Sequence, residues 1–146
     1  MRERALRITA ADLNLMPSEA RPHVWGALME LRYPQAVATL AVFADGTASL
    51  CVSTGGSVIG DGAHPAMRET AEAFLYIADA HLAEFERADE TPIPQQGRVR
   101  FYLRTFQTTL TAEADEQDLA QNRHMLSAVF HAGHAVITQM RVTSEK

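Results

Sequence analysis

Residues 98–115 read RVRFYLRTFQTTLTAEAD, and the fold class follows from this stretch. Val99, Phe101 and Leu103 alternate with Arg98, Arg100, Tyr102 and Arg104, which is the period of a strand with one apolar face. Leu110, Ala112 and Ala114 repeat the alternation after a short break. Folding the two runs about Gln107-Thr108 sets Phe101 opposite Ala114 and Leu103 opposite Ala112. The same register sets Arg100 opposite Asp115 and Tyr102 opposite Glu113. Both faces agree with one antiparallel pairing, so a hairpin is predicted.

Working outward, a second hairpin stands earlier in the chain. Ala36–Phe43 and Thr47–Ser53 flank Asp45-Gly46, and Asp-Gly between two apolar runs supplies the positive φ of a tight turn. Residues 24–33 suit a strand with Trp25, Ala27, Met29, Leu31 and Tyr33 on one side. A short helix is the alternative, but Gly26 weakens it and Pro34 ends either element. Met67, Ala71, Phe74, Ala78, Leu82 and Phe85 recur at steps of three and four, with Pro65 placed for a first helical turn. That stripe ends near Arg87, and Pro92, Pro94 and Gly97 break the chain before the hairpin. Residues 116–123 read as a polar connection. A closing helix from about His124 to about Val142 gathers Met125, Leu126, Val129, Phe130, Val136, Ile137 and Met140 in one arc.

These elements predict an α+β domain: a single, mainly antiparallel sheet, meander plus hairpin, packed by two amphipathic helices. Residues 23–142 form that domain. Residues 1–22 show no sustained period and are read as a partly ordered arm, and residues 143–146 as a tail. The chain has 146 residues, enough for one core without disulfides or a structural metal. The lone Cys51 points to a reducing compartment. The charged start and the lack of any ~20-residue apolar run lead to the expectation of a cytoplasmic protein with no membrane partner. A net charge of −5 speaks against nucleic acid. Residues 68–90 hold two arginines against seven carboxylates, which accounts for that whole charge and reads as a solvated helix face. Protonating all six histidines would more than cancel it, so mild acid should lower solubility.

Four constellations are candidates for chemistry. The stretch TGGSVIGDG at 54–62 precedes the first long helix. Gly55, Gly56, Ser57, Gly60, Gly62 and the following His64 would there form an anion site of free N–H groups. It matches neither nucleotide-binding glycine motif, Asp61 lies within it, and a loop needing positive φ is the plainer reading. His131 and His134 lie one turn apart and are a candidate metal pair. His124 is ~15 Å from His134 along the axis and cannot share one ion. Arg98, Arg100, Tyr102 and Arg104 resemble a polyanion surface, but Glu113 and Asp115 across the hairpin explain them by pairing. Cys51 and His81 read as structural residues.

In element order, residues 24–142 resemble the profilin-like or roadblock/longin group of small domains. That resemblance implies a homodimer or partner-binding scaffold, with no catalytic residue to carry over. The segment from Phe43-Ala-Asp-Gly-Thr to the glycine-rich stretch is similar to uncharacterised bacterial proteins, which implies no function. The sequence therefore favours a non-enzymatic domain, without cofactor, acting as a homo-oligomer or on a protein partner. The alternative is a small-anion or phosphate site, or an enzyme, using residues 54–62 and His64.

Overall fold

A computed structural model describes residues 2–19, 21–60 and 64–144. Its centre is β1 (Val24–Arg32), whose first eight residues are all buried because it has a strand on either side and packing on both faces. On one side it pairs with β2 (Val37–Phe43), which continues into β3 (Ala48–Val52) and β4 (Ser57–Gly60). On the other it pairs with β6 (Arg98–Thr105), then β7 (Thr109–Asp115) and the two-residue β5 (Glu86–Arg87). The sheet runs β4-β3-β2-β1-β6-β7-β5, antiparallel throughout. The α+β architecture is that anticipated from the alternating runs.

Two long helices cover one face: α2 (Pro65–Ala80) and α4 (Ser127–Ser144). Ala27, Met29 and Leu31 of β1, Leu40 and Val42 of β2, and Val99, Phe101 and Leu103 of β6 point to them. Met67, Phe74, Leu75, Val129, Phe130, Val136 and Met140 fill the layer between. A truncation such as Phe74→Ala in this layer costs about 3–5 kcal/mol. The helix α2 ends at Ala80, short of the expected Arg87. Leu82–Glu84 tighten into a 3-10 turn, so Phe85 reaches the core edge beside Phe101 and Glu86 starts β5. Met125 precedes α4 and is exposed rather than buried.

The Asp45-Gly46 turn forms as read, with Gly46 at φ 92° and the Asp45 carboxylate accepting from both the N–H and the hydroxyl of Thr47. The other hairpin forms in a different register. Phe101 lies opposite Ala112, Leu103 opposite Leu110 and Arg100 opposite Glu113. The turn residues are Phe106-Gln107, because the N–H and hydroxyl of Thr105 both donate to the Thr108 carbonyl. Moving a turn by one residue shifts the pairing by two, which preserves the faces and changes every partner. Asp115 caps α3 (Glu116–Ala120), accepting from the Gln117 N–H, in the stretch read as a plain connection.

The opposite face of the sheet is covered in part by α1 (Arg2–Arg7), a six-residue helix in the stretch that showed no period. Its Ala5 joins Leu28, Ala41 and Tyr102 in a second, smaller core. The acidic stripe of α2 is not simply solvated. Asp79 accepts from the N–H groups of His23 and Val24, and Glu72 accepts from the buried Arg21. These bonds fix the chain's entry into β1.

Candidate functional sites

The expected glycine-rich loop is half strand. Ser57–Gly60 pair with β3, so their N–H groups on that side are occupied by the sheet. Gly55 and Gly56, at φ 123° and 90°, make the turn into β4, and the Gly55 N–H is bound to the Val52 carbonyl. Gly60 is buried, and a side chain there would meet the Met67 sulfur at 3.0 Å. His64 caps α2 without a side-chain bond, and its buried Nδ1 has no partner among the described residues. Gly62 lies outside them. The structure thus spreads these residues over a turn, an edge strand and a helix cap.

His131 and His134 sit on α4, each edge-on to the Phe130 ring. The His131 Nε2 is 2.9 Å from the Asn122 Oδ1, an Asn held at φ 61° after α3. Burial first, then the nearby His131, lowers the His134 pKa below its ordinary value. Among the described residues no three His, Cys, Asp or Glu side chains converge as a metal site.

The arginine face of β6 is built of pairs, but with other partners and less water than expected. Glu113 accepts from the Nε of Arg98 at 2.7 Å and of Arg100 at 2.9 Å. Tyr102 is fully buried and donates to the Pro92 carbonyl. Arg104 donates to the Ala5 carbonyl, and its guanidinium lies 4.8 Å from the centre of the Trp25 ring. A β-bulge at Trp25 turns that ring onto this face, stacked on Phe43. The α1 helix and the segment around Pro92 therefore roof Tyr102 and Arg104.

Sequence reasoning missed what this roof encloses. Glu30, at mid-strand in β1, is 0% exposed. Its Oε2 accepts from the Arg2 Nε at 2.6 Å and from the Thr39 hydroxyl at 2.8 Å, while Oε1 has no partner among the described residues. A charged residue in the middle of an apolar strand was the available signal. Beside it, where α1 meets the β1–β2 turn, a cavity of about 500 Å³ opens. Arg2, Arg32, Gln35, Thr39, Cys51 and Ser53 contribute to its wall. The Ser53 oxygen accepts from the Val37 N–H, which leaves its own proton to be donated. Arg2 and Arg32 each spend one terminal nitrogen on a carbonyl, of Thr91 and Pro94, and hold further N–H groups beyond it.

At the far end of the sheet, β4 is an edge strand whose outer side lacks a neighbouring strand among the described residues. Ile59 is 76% exposed there and borders a groove of about 350 Å³. Ile8, Leu13, Phe43 and Ala48 make its apolar wall, with Arg4 and Asp45 also lining it.

Comparison with family models, with curated proteins and with solved structures finds no match for this chain. No helix among the described residues is long and apolar enough to cross a membrane.

Proposed function

We propose that this chain is an interaction domain that pairs with a second copy of itself through β4. The single observation that carries this reading is the exposure of Ile59 on an open sheet edge. Unpaired edge backbone joins other strands readily, and proteins that stay monomeric blunt their edges with charge, proline or cover. The sequence of β4, Ser57-Val58-Ile59-Gly60, has none of these side chains. Antiparallel pairing about a twofold axis normal to the sheet keeps each face continuous, so Ile59 can lie opposite the partner's Ile59. Four residues span only about 13 Å. A lasting pair needs roughly 800 Å² from each copy, so the neighbouring groove must be covered as well. One basic and one acidic residue in its lining, Arg4 and Asp45, let a twofold contact match unlike charges.

Sedimentation of the purified chain across a micromolar dilution series tests this. The native protein should give a dimer mass, and Ile59→Lys should give a monomer with an unchanged far-ultraviolet spectrum. A native monomer throughout, or a variant that stays dimeric, overturns the reading.

A further inference from the structure

Arg104, near the end of β6, is a cation without an acid among the described residues. Its side chain is partly buried and has two uncharged partners. The Ala5 carbonyl accepts from Nη1 at 2.8 Å, and the guanidinium lies over the Trp25 ring. The Nε is buried with no acceptor among the described residues. Burial, with no counter-charge to offset it, lowers the Arg104 pKa from its ordinary value. Arg98 and Arg100 of the same strand are both matched by Glu113, so Arg104 departs from its neighbours. A desolvated charge without a partner costs free energy, and an anion arriving from solvent recovers part of that cost.

Space for such an anion adjoins it. A cavity of about 220 Å³ lies between the segment after α1, the Trp25 bulge and the β6–β7 turn, and Arg104 and Trp25 both line it. The described residues of its wall include no Asp or Glu. Asp12 binds the Thr9 N–H and lines a separate hollow with Arg4 and Arg7. The Thr9 hydroxyl, in the wall, accepts from the Asp12 N–H, which leaves its own proton to be donated. Thr109 and Gln107 add a hydroxyl and an amide. A carboxylate offers two oxygens to these groups, whereas a phosphate group offers at least three strong acceptors spread around a centre. We propose that this cavity binds a phosphate group, with Arg104 as its charge partner and Thr9, Gln107 and Thr109 as further donors. The volume is below that of drug-sized ligand sites, so inorganic phosphate or a small phosphomonoester fits and a nucleotide does not.

The site is assembled from remote segments and lies across β1 from the β4 edge, so it stands apart from self-pairing. Thr9 follows α1, Trp25 belongs to β1, and Arg104, Gln107 and Thr109 belong to the β6–β7 hairpin. A bound phosphate would therefore fasten the amino-terminal segment to the hairpin.

Trp25 is the only tryptophan and its residue lines the cavity, so its fluorescence reads binding directly. The full chain is titrated at neutral pH with phosphate and glycerol phosphate, against chloride and acetate at matched ionic strength. Phosphate should change the emission saturably at millimolar concentration and raise the thermal midpoint, and chloride and acetate should do much less. Arg104→Gln should abolish the response. Because that variant also loses the bond to Ala5, Gln107→Glu provides a second test at an exposed turn position. It sets a carboxylate in the wall and should weaken phosphate binding about tenfold or more, with the ligand-free midpoint unchanged. Tighter binding of glycerol phosphate than of phosphate supports the proposal with a phosphomonoester as ligand, and the reverse order supports it with free phosphate. The proposal is overturned if phosphate acts no more strongly than acetate or chloride, or if Gln107→Glu binds it as the native chain does.

Discussion

The Nε of Arg2 lies 2.6 Å from the Oε2 of Glu30, joining the first turn of the chain to the centre of the sheet across 28 residues. The carboxylate is completely buried, and the arginine side chain is 21% exposed. Burial by itself would lower the Arg2 pKa, but the hydrogen bond and the attraction of Glu30 win and raise it. Arg2 thus reaches from α1 to the sheet while also lining the cavity between α1 and the β1–β2 turn.

Breaking this pair from one side should be expensive. Arg2→Ala leaves Glu30 buried with Thr39 as its one side-chain donor among the described residues, and a cost of about 3 kcal/mol is expected from the behaviour of half-broken buried pairs. The double variant Arg2→Met with Glu30→Leu should lose less than Arg2→Ala alone, because no charge is left behind. Urea unfolding midpoints of the native chain and the two variants decide the order. A double variant less stable than the single would show that the pair itself, and not the orphaned charge, dominates.

The hairpin register has its own test. Glu113 serves both Arg98 and Arg100, whereas Asp115 caps α3. A double-mutant cycle between Arg100 and Glu113 should give a coupling of about 1 kcal/mol, weaker in high salt. The cycle between Arg100 and Asp115 should give almost none, although Asp115→Ala alone should cost about 1 kcal/mol through loss of the cap.

That pair of cycles also marks where sequence reasoning stops. Alternation over 98–106 and 109–115 names the strands and their faces, because side-chain direction has a period of two and burial is one-sided. It does not name partners, since the two candidate turns differ only in whether Thr105 or Phe106 closes them. The bond from the Thr105 side chain to the Thr108 carbonyl is the local fact that chooses. β4 was hidden for another reason: Gly55, Gly56 and Gly60 read as a loop, and the outward Ile59 offers no buried partner on its face. Leu28, Ala41 and Tyr102, on the second face, were legible only as strand positions, because their cover comes from α1, far away in the chain. Glu30 was legible only as a charge amid apolar strand positions. Its partners, Arg2 and Thr39, are brought to it by the fold alone.

Acid should weaken the packing around α4. The His134 pKa is lowered in the folded chain, so the unfolded chain takes up the proton more readily. Stability attributable to this residue is fully present above the unfolded value near ~6.5 and is lost as pH falls toward and through the lower folded value. The thermal midpoint should therefore drop between neutral pH and about pH 5, and the drop should be smaller in His134→Gln. An equal drop in the variant would assign the effect to other groups.

Gly26 shows how tightly the second face is built. A Cβ at this position would stand 2.9 Å from Cδ1 and 3.1 Å from Cε1 of the Phe43 ring, with the Arg104 Cβ at 3.4 Å behind. The ring cannot simply turn away, because Trp25 stacks on it and Arg104 in turn caps Trp25. Replacing Gly by Ala within a strand ordinarily favours the folded chain by a few tenths to one kcal/mol. Overpacking costs about 1–3 kcal/mol, so the clash should win and Gly26→Ala should destabilise. Pairing it with Phe43→Leu, which gives the new methyl group room, should restore part of the loss. Tryptophan fluorescence would report the same event, since Trp25 is the only tryptophan in the chain and its stacking partner has moved. A Gly26→Ala protein as stable as the native chain would mean that the stack of Trp25, Phe43 and Arg104 yields more readily than its contacts imply.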